Sequence, residues 1–350
     1  MPASIGSPSG PRKAAPTAAG RPPIRQFLAP AALLIALGLL LAALPRGGPR
    51  RVAPAAPPAP EAARILADLR GLAAFPTRFA GSRETPAVQD WLRAAIAARG
   101  LAVREQRVPL RVGAAATEQV NFFCELAGRD PGRPLLVLCA HYDSVNEGWI
   151  GETPSLADPE SPAPGADDNA SGVAVLLEAM RLLAADPPAR GTLFLFTAAE
   201  EMGQAGAEAW VAAATATGLR IGWVVNVDQV GESRSGPRAL QLFSHGPGLP
   251  LAARVRALGE RGAPAVLGWR LHPQDTLAKS DHGPFLARGI PAVSLSEGPG
   301  YYPWEAQGVG DKPERLDPVL LADCARLLVT IARDPALPRA TLARPRAASR

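Results

Sequence analysis

Apolar residues recur at two different spacings along the chain, and these spacings predict helices and strands. Residues 61–73 and 84–99 carry an apolar residue at every third or fourth position, which is typical of a helix that packs on one face. Apolar and polar residues alternate at 101–111 and 118–126, whereas 134–140 is a continuous apolar run. The pattern predicts two half-buried strands followed by a fully buried one.

The pattern beyond a long loop at 144–166 alternates between helices and strands. It predicts, in chain order, a helix at 171–185, a strand at 191–200, a helix at 205–216, strands at 221–229 and 239–243, a helix at 249–262, a strand at 290–295 and a helix at 317–333. Units of strand, helix and strand place parallel strands in one sheet with helices on its faces. We therefore predict an α/β fold, a three-layer sandwich in which helices flank a mainly parallel mixed central sheet.

The first 60 residues differ from the rest of the chain in composition. Residues 1–26 and 45–60 are rich in Pro, Ala and Gly, which predicts a disordered basic tail and a linker. Residues 27–44 are apolar and uncharged, and their number approaches that needed for a membrane-spanning helix. We predict a transmembrane anchor or a cleaved signal segment there. The protein would then be a single-pass protein of the cell membrane with an exported folded domain, or a secreted or periplasmic protein.

The remaining residues are predicted to form one folded domain at 61–335 and a disordered tail at 336–350. Seven of the 37 basic residues precede Glu61 and no acidic residue does, so the rest of the chain has 30 basic and 32 acidic residues. This balance gives little support for nucleic-acid binding, which depends on a basic surface. The oligomeric state is left open. The three cysteines occur in apolar segments and are expected to be buried free thiols: Cys124, Cys139 and Cys324.

Polar residues gather where three successive predicted strands end and where one helix begins. In chain order they are His141, Asp143, Asp167, Asp168, Glu200, Glu201 and Asp228. The carboxyl ends of parallel strands lie at one edge of a sheet, so these side chains can converge there. Adjacent carboxylates beside apolar strands are costly to desolvate unless a positive charge compensates them. A metal ion is the expected compensation, and a mixed set of nitrogen and oxygen ligands suits zinc.

Five motifs in a fixed order resemble those of a known family. They are "AHYDSV", "PGADDNASGVAVLLEAMRLL", "LFLFTAAEEMGQAGA", "VVNVDQVG" and "SDHGPF", within a similarity that runs from residue 77 to about 333. The sequence resembles the co-catalytic di-zinc aminopeptidases, a family that includes bacterial leucyl aminopeptidases and has glutaminyl cyclases as relatives. The resemblance implies a metallo-exopeptidase that binds two Zn²⁺ ions and hydrolyses the N-terminal residues of peptides.

The resemblance also implies a role for individual residues. One ion would be bound by His141 and Asp228 and the other by Glu201 and His282, with Asp167 bridging both. Glu200 would be the general base that takes a proton from the attacking water. Asp143 would accept a hydrogen bond from His141 and fix its tautomer. Asp168 and Asn169 have two equal interpretations, as caps of the helix at 171 or as part of the surroundings of the metal.

The sequence departs from the family pattern after the last strand. Family members often have a Tyr-His-Thr turn there, and this chain has "GPGYYPWEAQGVGDKPERLD". Tyr301 and Tyr302 are candidates for the substrate pocket, or they pack under a loop. Two other functions stay open: a glutaminyl cyclase-like acyl-transfer enzyme, and a non-catalytic receptor-like module on the same fold. The side-chain preference and the choice between amino- and carboxypeptidase or amidohydrolase activity also stay open.

Overall fold

The structure is a computed structural model that describes residues 59–146, 158–232, 238–273, 280–297 and 308–337. The predicted anchor at 27–44, the centre of the 144–166 loop, and Tyr301 and Tyr302 lie outside these residues. None of the helices in the described ranges has the length and apolar character that crossing a membrane requires. The domain limits at 61 and 335 stay predictions.

Eight strands of the described residues form one sheet. They are β1 (Arg104–Val112), β2 (Ala115–Leu126), β3 (Leu135–His141), β4 (Thr192–Thr197), β5 (Ile221–Val227), β6 (Ala239–Phe243), β7 (Gly268–His272) and β8 (Ala292–Ser296). Their order across the sheet is β1-β2-β4-β3-β5-β8-β6-β7. The four central strands, β4, β3, β5 and β8, are parallel neighbours, and antiparallel pairs flank them on both sides. This mixed, centrally parallel sheet confirms the predicted fold class.

Seven helices cover the two faces of the sheet in the described part of the chain. They are α1 (Ala62–Ala73), α2 (Thr85–Ala97), α3 (Gly172–Ala185), α4 (Ala205–Ala216), α5 (Leu249–Gly262), α6 (Gly283–Ala287) and α7 (Pro318–Arg333). Helices α1, α2, α3, α5 and α7 contribute to the larger apolar cluster, and α4 and α6 to a second cluster. The sheet is therefore covered on both sides, so polar groups reach solvent mainly at the strand ends.

Three short features refine the sequence-based interpretation. Strand β7 and helix α6 were not predicted, because "GWRLH" lacks a continuous buried apolar run and "GPFLA" begins with Gly-Pro, which is a turn signal. The three cysteines are free and buried, as expected. Burial raises the pKa of Cys124 to about 12, which keeps this thiol protonated.

Candidate metal centre

The polar residues predicted at the strand ends converge on one edge of the sheet. His141 is the last residue of β3, which lies between β4 and β5. Glu200 and Glu201 follow β4, and Asp228 is the first residue after β5. Because these three strands are parallel neighbours, the segments that leave them are adjacent in space.

The His141 ring lies beside two carboxylates. Its Nε2 atom is 3.2 Å from Oδ1 of Asp228 and 3.3 Å from Oδ1 of Asp168. Two atoms bound to one tetrahedral zinc ion at about 2.0–2.1 Å lie roughly 3.3 Å apart. A single ring proton points along one direction and cannot serve both oxygens well. The spacing therefore fits three ligands around one ion.

Asp143 connects the end of β3 to the end of β4. Its Oδ1 is 3.5 Å from Nδ1 of His141, on the side of the ring away from Asp228. Its two oxygens also accept hydrogen bonds from the backbone N–H groups of Glu200 (3.1 Å) and Glu201 (3.2 Å). The Asp143 carboxylate thus lies beside the His141 ring and also holds the turn that carries both glutamates.

The two glutamates differ in their contacts. Glu200 is buried, and its Oε1 accepts a hydrogen bond of 2.9 Å from Nε2 of Gln204. Oε1 of Glu201 is buried but forms no hydrogen bond with the described residues. Each glutamate offers a ligand atom that lies within 4.8 Å of a ring nitrogen of His141. Glu201 is therefore the better candidate for a metal ligand, and Glu200 is held by a neighbour.

Asp167 does not lie where the sequence analysis expected a bridging ligand. Its Oδ1 accepts a hydrogen bond of 2.8 Å from the N–H of Gly231, and it groups with Glu232 and Glu297 instead of His141. The next residue, Asp168, faces His141, and its Oδ2 accepts a hydrogen bond from Gln229. Successive side chains of this turn point in different directions, so a shift of one residue exchanges their environments.

Asp168 and Asn169, which were interpreted together, have separate roles in the structure. Asn169 accepts a hydrogen bond of 3.0 Å from the N–H of Gly172, the first residue of α3, and donates one to the carbonyl of Val227. Asn169 therefore satisfies an N–H group at the start of the helix and ties the helix to β5. Asp168 belongs to the group around His141.

His282, the predicted second ligand beside Glu201, ends the "SDH" motif, and its assignment stays a prediction. It is fully buried just before α6, and its carbonyl accepts a hydrogen bond from the N–H of Leu286. It belongs to none of the groups of three or more potential ligands found among the described residues. The "SDH" motif reaches the site through Ser280, which donates a hydrogen bond of 2.6 Å to Oδ2 of Asp228.

The sequence analysis missed two charged residues close to the site. Arg78 and Asp311 are both almost fully buried, and both bond to the loop that carries Asp168. Burial lowers the pKa of Arg78 to about 10, and the nearby carboxylates, Asp311 first among them, oppose this shift. In the sequence, Arg78 stands at the start of the family similarity at residue 77, and Asp311 stands in the segment that departs from the family pattern. Neither position identifies the groups that these side chains contact.

The electrostatics of the group indicate an excess of negative charge. Burial raises the pKa of Glu200 and of Glu201 well above the ordinary value, and Asp168 adds to the shift of Glu201. Burial opposes protonation of His141, but the adjacent carboxylates, Asp228 first, outweigh it and raise the pKa of the ring. A bound cation would compensate these carboxylates, and one imidazole among several carboxylates is a ligand set that fits zinc.

Comparison with known proteins identifies the family. The chain matches peptidase family M28 over residues 121–332, which is more than half of its length and runs from within β2 almost to the end of α7. The chain belongs to this family. The matched range contains His141 and the acidic residues that converge on it, whereas Arg78 lies before it.

Curated relatives of this M28 chain include fungal proteins. A probable zinc metalloprotease of Leptosphaeria maculans is 27% identical over 205 residues, covering 51% of this chain and 46% of the relative. A probable zinc metalloprotease of Pyricularia oryzae is 31% identical over 233 residues, covering 58% and 44%. A vacuolar membrane protease of Candida albicans is 31% identical over 147 residues, covering 41% and 16%. The chain thus matches less than half the length of each.

Solved structures share the fold of the M28 chain. A Zn-dependent exopeptidase from Parabacteroides distasonis superimposes with a TM-score of 0.65 at 20% identity, covering 80% of this chain and all of the other. The LapA aminopeptidase of Legionella pneumophila gives 0.64 at 20% identity, covering 78% and 71%. At this identity the likeness establishes the α/β fold.

Proposed function

We propose that the protein is a zinc-dependent metallopeptidase that removes residues from the N-termini of peptides. One observation carries this proposal: Nε2 of His141 lies 3.3 Å from an oxygen of Asp168 and 3.2 Å from an oxygen of Asp228. Atoms that bind the same zinc ion are separated by about this distance. Membership of family M28 supports it. The names of the curated relatives, probable zinc metalloproteases, and of structural neighbours, aminopeptidases, support the metal and the N-terminal specificity.

The ligand assignment follows the described contacts. We assign His141, Asp168 and Asp228 to one zinc ion, because their ligand atoms form one group. Glu201 and His282 stay the proposed ligands of a second ion, and we propose Asp168 in place of Asp167 as the residue that both ions share. The raised pKa of Glu201 supports this assignment, because burial and the charge of Asp168 both disfavour its ionisation without a cation. When bound, the zinc ions would polarise the substrate carbonyl and lower the pKa of a water molecule.

Glu200 is the proposed general base. Its carboxylate accepts the proton from the water that attacks the peptide carbonyl and then donates this proton to the departing amine. Gln204 holds one oxygen of Glu200, and Asp143 holds its backbone N–H, so the carboxylate keeps its place without binding metal. Asp143 also orients His141 from the side opposite Asp228.

The N-terminal segment gives the proposal a location. We propose that residues 27–44 anchor or export a peptidase domain at 61–335, and that peptides are its partners on that side of the membrane. The relative named as a vacuolar membrane protease is consistent with a membrane location. Fractionation of cells that express the full chain is the test, and recovery of all the protein in the cytosol without cleavage would refute it.

The chemical proposal is tested with the full chain and a panel of peptides. We expect two zinc ions per chain by elemental analysis, loss of activity with a chelator, and hydrolysis of free but not N-acetylated peptides. Equal turnover of free and acetylated peptides would refute N-terminal specificity. A peptide with N-terminal glutamine distinguishes an aminopeptidase from a glutaminyl cyclase, because only the cyclase would cyclise the glutamine without hydrolysing the peptide. One structural neighbour, from Bacteroides thetaiotaomicron, is a glutaminyl cyclase.

Glu200→Gln tests the proposed base. The variant should keep its zinc content and lose kcat by at least 100-fold, because general-base catalysis contributes roughly 10²–10⁴-fold. Glu208→Gln is the matched control, since Glu208 lies on α4 and forms an exposed ion pair with Arg288. Near-normal turnover of Glu200→Gln would refute the assignment of the base.

A further inference from the structure

Two buried, oppositely charged side chains flank the loop that leads to Asp168. Arg78 and Asp311 both bond to the main chain of this loop, and each is at most 2% exposed. Neither belongs to the proposed ligand set. A buried charge is costly unless hydrogen bonds satisfy it, so the groups that each side chain contacts indicate its role.

Arg78 bonds to main-chain carbonyl groups. Its Nε donates to the carbonyl of Tyr142 (2.7 Å), its Nη2 to that of Gly165 (2.8 Å), and its Nη1 to that of Pro164. Tyr142 lies between His141 and Asp143. One guanidinium group therefore ties the loop before Asp168 to the strand end that carries His141.

Asp311 bonds to main-chain N–H groups of the same loop. Its Oδ1 accepts from Asp167 (2.8 Å) and its Oδ2 from Asp168 (2.9 Å). Its own carbonyl accepts a longer bond of 3.4 Å from Ala166. Three consecutive N–H groups thus point at one residue, so Asp311 holds the N–H groups of 166–168 while Arg78 holds the carbonyl groups of 164 and 165.

Gly165 shows how closely this loop is packed. Its φ of +52° lies in the left-handed region. A Cβ atom there would lie 2.3 Å from the carbonyl oxygen of Asp168 and 2.7 Å from Nη2 of Arg78. The loop has no space to shift toward Arg78, which is the behaviour required of a rigid support.

We propose that Arg78 and Asp311 are positioning residues that clamp the main chain from 164 to 168 and thereby hold the Asp168 carboxylate beside His141. This inference rests on the proposed function, in which Asp168 is a zinc ligand. Residues that orient a metal ligand typically change metal affinity or activity by about 10–100-fold when they are replaced. The clamp should therefore act on zinc affinity and kcat and leave KM nearly unchanged.

Two conservative substitutions remove the clamp with little change in side-chain volume. Arg78→Lys keeps the positive charge, but one ammonium group cannot reproduce the planar fork that reaches three carbonyl groups. Asp311→Asn keeps the shape and replaces one acceptor oxygen with an NH₂ group that faces a backbone N–H. Arg83→Lys is the matched control, because the exposed Arg83 side chain bonds to Glu160, upstream in the same loop.

The experiment measures zinc affinity by competition with a chromogenic chelator, then kcat and KM, in the full chain. We expect Arg78→Lys and Asp311→Asn each to lower zinc affinity and kcat by at least tenfold, with KM within about twofold of wild type. The double variant should lose less than the product of the single losses, since both residues hold the same segment. Arg83→Lys should match wild type.

Urea unfolding of the zinc-free proteins separates positioning from general stability. The unfolding free energy gives the folded fraction of each variant, and zinc affinity and kcat are corrected for this fraction. Corrected values of Arg78→Lys and Asp311→Asn within twofold of wild type would overturn the inference. Losses equal to those of Arg83→Lys would overturn it as well. A wild-type protein that binds no zinc would refute the proposed function itself, whereas a zinc-loaded wild type with unaffected variants refutes the clamp alone.

Discussion

Replacing Asp143 with asparagine should weaken the connection between the end of β3 and the turn that carries Glu200 and Glu201. The Asp143 carboxylate accepts two hydrogen bonds, from the N–H groups of Glu200 and Glu201, and lies 3.5 Å from Nδ1 of His141. An asparagine of the same shape offers one acceptor oxygen and one NH₂ donor. In either orientation of the amide, one of the two backbone N–H groups must face the NH₂ donor, and in one orientation the His141 ring also loses its acceptor.

The size of the effect follows from the contact that is lost. A hydrogen bond to a charged group contributes about 1.5–3 kcal/mol, and each 1.36 kcal/mol is a factor of ten. Asp143→Asn should therefore lower zinc affinity or kcat by roughly 10–100-fold, which is also the range found for groups that orient metal ligands. The loss should exceed any effect on KM, because Asp143 is buried and its carboxylate contacts the His141 ring and the backbone of Glu200 and Glu201.

The assay is chelator competition for zinc and steady-state kinetics on one free peptide. Asp130→Asn is the matched control, since Asp130 also accepts a backbone N–H, from Gly132, and pairs with Arg133 at an exposed turn. We expect that control to bind zinc and turn over substrate as wild type does. If Asp143→Asn behaved like Asp130→Asn, the role of Asp143 as the link between His141 and the glutamates would be wrong.

Three further predictions concern stability and reactivity. The hydrogen bond from Arg254 lowers the pKa of Asp334, so the ionised carboxylate stabilises the folded protein. Asp334→Asn should lose all of this stabilisation above about pH 4, and the loss should shrink as the pH falls through the folded-state pKa. The unfolding free energy at several pH values is the measurement. Gly206→Ala should destabilise by about 1–3 kcal/mol in urea, because its Cβ would lie 2.2 Å from the carbonyl of Ala198, whereas the helical Gly262→Ala should not. The three buried thiols, Cys124, Cys139 and Cys324, should not react with a disulfide reagent until urea unfolds the protein. Rapid labelling of the folded protein would contradict their burial.

The sequence pattern predicted the bounds of two helices and one short strand to the residue. The observed bounds of α4, β6 and α5 agree with the predicted ranges 205–216, 239–243 and 249–262. The helices among them bury one face, and Thr217 and Ala263 follow them where the pattern stops. Local pattern does not determine pairing direction, so the antiparallel contacts of β2 with β4 and of β6 with β8 required the structure.

The convergence of the site was predictable for a topological reason. His141, Glu201 and Asp228 lie at the ends of adjacent parallel strands, and a parallel sheet brings such ends to one edge. The choice between Asp167 and Asp168 was not predictable from the residues. It depends on the direction of each side chain in a turn with non-helical backbone at Asp168 (φ −108°, ψ 88°), and no spacing rule applies there.

The same structural device supports both acidic turns of the centre. Asp143 accepts the consecutive N–H groups of Glu200 and Glu201, and Asp311 accepts those of Asp167 and Asp168. A carboxylate that receives two backbone N–H groups is stabilised without an ion pair. Each of these aspartates directs its oxygens to the backbone of a turn, and burial still raises the pKa of Asp311 to about 7. This division explains why so many carboxylates fit at one strand edge: two of them hold backbone turns, and those that remain near His141 are available to bind a cation.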